Sequence, residues 1–143
     1  MNNLIFQICN TVALLAWIAL IIFPYRTLTR KILFTYVVIL LSATYTTLFL
    51  SFFNTGGEGG FSSLPAVTAL FQEPVNVLVG WIHYLAFDLM VGLYIAKDAQ
   101  SKGINQWLLL PSFLLTFMAG PMGLLIYFLI RVIMTKRLFQ SYA

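Results

Sequence analysis

Four long runs of apolar residues, at positions 4–23, 32–53, 75–96 and 107–130, account for most of the chain. Each run has about the 20 residues that a helix needs to cross the hydrocarbon core of a bilayer. Because backbone groups in lipid must hydrogen-bond within their own segment, runs without period-two alternation predict helices rather than barrel strands. The pattern therefore predicts an all-α fold, an integral membrane four-helix bundle that forms one transmembrane domain over residues 1–143.

Composition supports this fold class and excludes a soluble one. Hydrophobic residues make up 61% of the chain and charged residues only 8%, whereas a soluble domain carries roughly 25% charged residues. The net charge of +4 comes from basic residues near the ends of the apolar runs, which favours contact with the bilayer surface over nucleic-acid binding. The sequence does not decide between a monomer and a homo-oligomer.

The short connections carry more basic residues than the segment that follows the last run. Five basic residues lie in the two short connections: Arg26, Arg30, Lys31, Lys97 and Lys102. Three follow the last run: Arg131, Lys136 and Arg137. Because cytoplasmic loops are enriched in lysine and arginine, we predict that the short connections face the cytoplasm or its organellar equivalent. Both termini are then expected on the opposite face.

Two further features interrupt the simple pattern of runs and loops. Pro121 lies in the middle of the last run, between Gly120 and Gly123. A proline there removes one backbone hydrogen bond and clashes with the preceding turn, so we predict a kinked helix. In the long central connection, residues 63–71 predict a short helix at the membrane interface.

The third run carries two ionisable residues near its middle, His83 and Asp88, within the stretch GWIHYLAFDLMVG. At a rise of 1.5 Å per residue, both lie within roughly 4 Å of the bilayer midplane. An aspartate there costs about 3 kcal/mol on insertion scales, and no lysine or arginine lies within any run. Because desolvation disfavours the charged form, we predict a neutral Asp88 that can donate a hydrogen bond.

Helical geometry separates these two residues. A spacing of five positions corresponds to about 140° around the helix, so a direct bond between His83 and Asp88 is not expected. They belong to two stripes along the helix, one with Asn76, Gly80, His83 and Phe87, and one with Trp81, Tyr84, Asp88 and Gly92. Each stripe includes a glycine, which lets a neighbouring helix or a ligand approach. The stripes are therefore candidates for lining a binding cavity.

A purely structural role competes with this interpretation. Buried polar side chains often join membrane helices through hydrogen bonds worth about 0.6 kcal/mol on average. Glu73, at the start of the third run, is a further candidate for proton transfer, although an acid is also expected at a helix start. A metal site is not predicted, because the chain has one histidine and His83 and Asp88 lack the spacing of helical ligands.

Six segments carry a resemblance to a known family: GGFSSL, LFQEP, VLVGWIHYLAFDLMVG, IAKDA, LLLPSFLLTFMAGP and GLLIYFLIR. In this order they resemble the abscisic-acid-deficient-4-like family, the neoxanthin-synthase-like group of small membrane proteins. The resemblance implies a role like that of plant members, which are needed in plastids to convert violaxanthin to neoxanthin. The chain lacks the long serine-rich extension of a plastid precursor, so we expect a bacterial member in a cell membrane or photosynthetic membrane.

The implied reaction is an isomerisation, in which one epoxide opens and a nearby proton leaves to give an allene. The resemblance thus implies a carotenoid, xanthophyll or related isoprenoid lipid as the ligand, and no cofactor. Such chemistry needs an acid at the epoxide oxygen and a base at the departing hydrogen. We hypothesise Asp88 as the acid and His83 as the base. Two alternatives remain: a non-catalytic carotenoid-binding or assembly protein, and a small transporter with a proton path through these residues.

Overall fold

The structure is a computed structural model that describes residues 2–53 and 59–136, apart from the side chains of Phe52 and Phe53. Within these residues every regular element is a helix. The elements are α1 (Asn2–Ile22), α2 (Thr27–Ile32), a π-helical segment (Leu33–Val38), α3 (Ile39–Phe53), α4 (Leu64–Leu70), α5 (Pro74–Ser101), a 3₁₀ turn (Gln106–Leu109) and α6 (Leu110–Thr135).

Four helices are long and apolar enough to cross a membrane: Asn2–Ile22, Thr27–Ser51, Pro74–Ser101 and Gln106–Thr135. The predicted all-α membrane fold is thereby confirmed, and these helices fit a multi-pass protein in a lipid bilayer. The second of them runs through α2, the π-helical segment and α3 with helical backbone at both junctions. The third is longer than predicted, because α5 continues to Ser101 rather than ending near residue 96.

Helix α5 occupies the centre of the bundle, and α1 packs beside it in the same direction. Towards the amino-terminal end of α5, the Trp81 indole donates a hydrogen bond to Asn10 Oδ1 at 2.8 Å. Further along both helices, the Trp17 ring covers Gly92, where an added Cβ atom would lie 2.6 Å from Trp17 Cη2. Because the contact pairs advance together along the two segments, α1 and α5 run parallel.

The second long helix runs antiparallel to α5. Near its carboxyl-terminal part, the Tyr45 ring lies 5.5 Å from the His83 ring. Near its start, Arg30 Nη2 donates to Gln100 Oε1 at 2.6 Å, close to the end of α5. Leu41, between these two contacts, is buried in an apolar cluster with residues of α1 and α5. The connection before α2 and the connection after α5 therefore lie on the same face of the bundle.

The predicted short helix in the central connection is confirmed as α4. The Ser63 hydroxyl caps its start by accepting a hydrogen bond from the Ala66 amide at 3.3 Å. Just after α4, the Phe71 ring packs over Gly80 of α5, where an added Cβ atom would lie 2.9 Å from Phe71 Cε1. This contact places the end of α4 against the amino-terminal half of α5.

The segment α6 consists of two helices, and the chain reverses direction between them. Ala119 has the non-helical angles φ −159° and ψ 73°. An added Cβ atom on Gly123 would lie 2.5 Å from the carbonyl oxygen of Ser112, although eleven residues of straight helix span about 16 Å. The first half of α6 (residues 110–118) and the return half (residues 120–135) are therefore antiparallel. Small residues at the crossing let the two backbones approach closely.

The reversal differs from the expected kink at Pro121, and the position of the proline explains the difference. Pro121 lies in the first turn of the return half, directly after the break at Ala119. A proline in a first turn costs little, because the amide it lacks would have no acceptor within the helix. Pro121 therefore starts a helix instead of bending one.

The return half of α6 ends beside the carboxyl-terminal part of α5. Arg131 Nη1 lies 3.2 Å from Asp98 Oδ2, and the Tyr127 hydroxyl donates to the same carboxylate oxygen. The expectation that Arg131 and Lys136 lie on the face opposite the short connections is therefore wrong, because the reversal returns them to the face of these connections. Arg137 lies outside the described residues.

Candidate functional site

Asp88 lies at the midpoint of α5, against the break in α6. Its side chain is only 7% exposed. A Cβ atom on Gly120 would lie 2.7 Å from Asp88 Cγ, so only glycine lets the backbone of α6 approach this carboxyl group. The Gly120 amide donates a hydrogen bond to the carboxyl group. Asp88 Oδ2 is buried and has no hydrogen-bond partner among the described residues.

The start of the return half gives the Asp88 carboxyl group a specific electrostatic setting. The first amides of a helix have no acceptor within that helix, and the helix dipole makes this end partly positive. Gly120 stands in this first turn and Pro121 follows it. Asp88 thus caps a helix that begins at the depth of the middle of α5.

Tyr84 donates to a carbonyl group that the break in α6 leaves without a helical donor. In a continuous helix the Phe117 carbonyl would accept a hydrogen bond from the amide of residue 121, which proline does not have. The Tyr84 hydroxyl instead donates to the Phe117 carbonyl at 2.8 Å. The same hydroxyl neighbours Asp88. Tyr84 and Asp88 therefore both face the break in α6, as their common stripe predicts.

His83 lies on a different side of α5, on the outer surface of the bundle. Its imidazole stacks on the Phe87 ring at a centroid distance of 4.5 Å, and the Tyr45 ring lies 5.5 Å away. Phe87 is 59% exposed. Asp88 is buried inside the bundle and His83 is exposed, so the structure separates the two residues and does not bring them into one internal cluster.

An exposed aromatic strip, formed by Phe6, Trp81 and Tyr84, leads along α1 and α5 towards Asp88. The Trp81 ring lies 5.4 Å from the Tyr84 ring and 5.9 Å from the Phe6 ring. Its indole nitrogen is held by Asn10. Phe6 and Trp81 are each 40% exposed, so the strip is open at the outer surface while its Tyr84 end reaches the buried carboxyl group.

Side chains from other parts of the chain pack on the two glycines of the stripes. Gly92 lies under the Trp17 ring and Gly80 lies under the Phe71 ring. A groove at either glycine would therefore require one of these rings to move. Both contacts identify the glycines as close-packing positions.

The two polar candidates at the start of α5 lie far from Asp88. Asn76 is buried and its amide donates to the Leu70 carbonyl at 2.7 Å, which ties α5 to α4. Glu73 is exposed and precedes the first turn of α5, and its side chain does not cap that turn. Fifteen residues of helix place Glu73 about 22 Å from Asp88 along the axis.

Sequence reasoning missed a buried ionic cluster between α5 and the return half of α6. Asp98 accepts from the Tyr127 hydroxyl, pairs with Arg131, and lies 3.9 Å from Lys102 Nζ. Arg131 is 4% exposed, and its Nε has no partner among the described residues. Asp98 and Arg131 follow two separate apolar runs, and nothing in a linear pattern shows that α6 turns back.

Comparison with known proteins agrees with the resemblance seen in the sequence. The family model described as ABA DEFICIENT 4-like matches residues 4–127. The chain belongs to this family. A search of curated proteins and a search of solved structures each returned no significant match. The residues matched by the family model include Tyr84, Asp88, and the reversal at Ala119 and Gly120.

Proposed function

We propose that this protein acts on a carotenoid, or a related isoprenoid lipid, and isomerises an epoxide to an allene with Asp88 as the proton donor. One observation carries the proposal: a buried carboxyl group at the middle of α5 has one oxygen without a partner among the described residues. Family membership supports the substrate class, since the family is described as ABA DEFICIENT 4-like. An apolar substrate would reach this depth from the bilayer.

The chemistry fits a single neutral carboxyl group. Asp88 gives its proton to the epoxide oxygen as the carbon–oxygen bond breaks, which leaves a hydroxyl group on the product. The carboxylate then accepts the proton that leaves the neighbouring carbon as the allene forms. The isomerisation has no net proton change, so this cycle regenerates the acid and needs no oxidant or reductant. The Gly120 amide, at the positive end of the return half, stabilises the transient carboxylate.

His83 remains the candidate for a separate base. It faces the outside of the bundle, about 140° around α5 from Asp88, so it would act only on a substrate that reaches both sides of the helix. We therefore assign both proton transfers to Asp88. The alternative, in which His83 is the base, is tested directly by mutation of His83. Glu73 is too far along α5 to share a proton with this site.

We assign polyene binding to the aromatic strip of Phe6, Trp81 and Tyr84. A row of neighbouring aromatic rings suits an extended conjugated chain, and this strip ends beside Asp88. Phe87 belongs to the opposite surface with His83. Asn76, Gly80 and Gly92 then support the bundle around the site, because each already contacts another protein group.

The second candidate function is carotenoid binding without catalysis. One observation favours it: Asp88 Oδ2 is buried beneath the break in α6, so turnover requires α6 to move away from α5. Binding along the exposed aromatic strip requires no such movement. The two functions therefore predict the same pigment and differ only in its conversion.

Mutation of Asp88 in a host that makes carotenoid epoxides tests the proposal. Asp88→Asn keeps the size and the carbonyl oxygen that accepts from Gly120, but it removes the transferable proton. We expect at least a 100-fold loss of conversion, the range of a general acid, with normal membrane insertion. His83→Gln should retain conversion. The control Thr46→Val changes a hydroxyl that bonds only within α3 and should change neither insertion nor conversion.

Full conversion by a well-inserted Asp88→Asn protein would remove Asp88 from the mechanism. Loss of conversion in His83→Gln alone would move the site to the outer surface. Bound pigment without conversion in the unmodified protein would favour the binding function.

A further inference from the structure

The two short connections are joined into one unit by side-chain hydrogen bonds. Arg30 donates to the Pro24 carbonyl at 2.7 Å and to Gln100 at 2.6 Å. Gln100 in turn donates to the Tyr25 carbonyl at 3.0 Å, and the Tyr25 hydroxyl donates to the Ile104 carbonyl. These bonds fix the start of α2 against the end of α5, so charged groups nearby keep a defined arrangement.

Every lysine and arginine within residues 2–53 and 59–136 lies on this side of the bundle. We call this side the basic face, formed by Arg26, Arg30, Lys31, Lys97, Lys102, Arg131 and Lys136. Arg30 and Arg131 are engaged in the contacts described above. Arg26, Lys31, Lys97 and Lys136 are exposed. On the opposite face, the one charged residue within the described ranges is the exposed Glu73.

With Asp88 at the bilayer midplane, the backbones of Lys31 and Lys97 lie just inside the edge of the hydrocarbon core. Lys97 follows Asp88 by nine residues, which places it about 14 Å from the plane of Asp88. Tyr45 is level with His83, and Lys31 precedes Tyr45 by fourteen residues, or about 21 Å along the antiparallel helix. Because His83 lies about 7.5 Å to the other side of Asp88, Lys31 is about 14 Å from the plane of Asp88, on the same side as Lys97. The hydrocarbon core extends about 15 Å from its centre. Side chains at this depth reach outwards to phosphate groups while their stems stay in apolar surroundings.

We propose that the basic face binds the phosphate groups of anionic phospholipids in the leaflet next to it. Lysine and arginine near an anionic membrane surface each contribute about 1 kcal/mol, roughly a fivefold preference. The opposite face has no such preference, because its described residues carry no lysine or arginine. The proposal is independent of the function assigned to Asp88.

Tryptophan quenching by brominated lipids tests this proposal on each face separately. Trp107, 73% exposed, directly follows the connection on the basic face, and Trp81, 40% exposed, lies in the other half of α5. Trp17 is buried and stays in place as an unquenched background. Trp81→Phe therefore reports lipid at the basic face, and Trp107→Phe reports lipid at the opposite face. Both proteins are reconstituted in brominated phosphatidylglycerol, brominated phosphatidylcholine and mixtures of the two.

We expect Trp107 to show roughly a fivefold preference for the anionic lipid, and Trp81 to show none. In 1 M salt the screening length falls to about 3 Å, so the preference at Trp107 should approach one. Combined Arg26→Gln, Lys31→Gln, Lys97→Gln and Lys136→Gln changes should abolish it, and Lys→Arg changes at the three lysine positions should retain it. Equal preferences at Trp107 and Trp81, or a preference at Trp107 that 1 M salt leaves unchanged, would overturn the proposal.

Discussion

The Gly123→Ala change tests the reversal of α6, because a reversed path predicts a loss of stability and a continuous helix predicts a gain. In the structure, the new methyl group would lie 2.2 Å from the Thr116 amide nitrogen and 2.5 Å from the Ser112 carbonyl oxygen, where ordinary contact begins at 3.4 Å. Backbone cannot rotate away as a side chain can, so the return half itself must shift. Overpacking of this kind typically costs about 1–3 kcal/mol, and we expect about 2–3 kcal/mol.

A continuous helix predicts stabilisation instead. There Gly123 would face lipid or a groove, and replacing a helical glycine by alanine gains up to about 1 kcal/mol. Gly60→Ala is the matched control, since a Cβ atom there would contact nothing within 4 Å. Cys9 is buried, so a fluorogenic thiol reagent reports thermal unfolding in detergent. A Gly123→Ala protein that unfolds at or above the temperature of the Gly60→Ala protein would refute the reversal.

Two more predictions depend on the same path of α6. In a Cys9→Ala background, an impermeant thiol reagent added from outside should label Asn3→Cys in intact cells and should label Lys136→Cys only after permeabilisation. Equal labelling of both positions would contradict their placement on opposite faces. The reverse pattern would contradict the orientation that the basic face predicts. Arg131→Met should destabilise the protein by about 3–5 kcal/mol, because it removes the buried cation beside Asp98 and leaves only the more distant Lys102 as its charge partner. Asp98→Leu combined with Arg131→Met should recover most of that loss in the same thermal assay. Losses that simply add would show that the two side chains act independently.

The sequence predicted the helical class and the separation of Asp88 from His83 because both follow from local periodicity. Apolar runs of about 20 residues identify membrane helices whatever their neighbours are. A fixed rotation per residue separates positions 83 and 88 in any regular helix. Asp88 is buried and His83 exposed, as residues on different faces of a central helix should be.

The reversal of α6 could not be read from hydropathy, because an apolar run that returns has the same composition as one that crosses. The break at Ala119 leaves the Phe117 carbonyl without a helical donor, and the Tyr84 hydroxyl donates to it instead. The ion pair of Asp98 with Arg131 depends on that reversal, so no argument from separate runs could predict it. The prediction that Arg131 and Lys136 lie opposite the short connections was wrong for the same reason, because it treated the last apolar run as a single crossing.

The most direct test of the central claim is to incubate the purified, cofactor-free protein with a panel of carotenoid epoxides and analyse the products by chromatography and mass spectrometry. If Asp88 isomerises an epoxide to an allene, a product of unchanged mass with one new hydroxyl group should accumulate over many turnovers. The Asp88→Asn protein should bind the same pigment and leave it unconverted. Pigment that binds the unmodified protein and is recovered unchanged would contradict the claim and identify a carotenoid-binding protein.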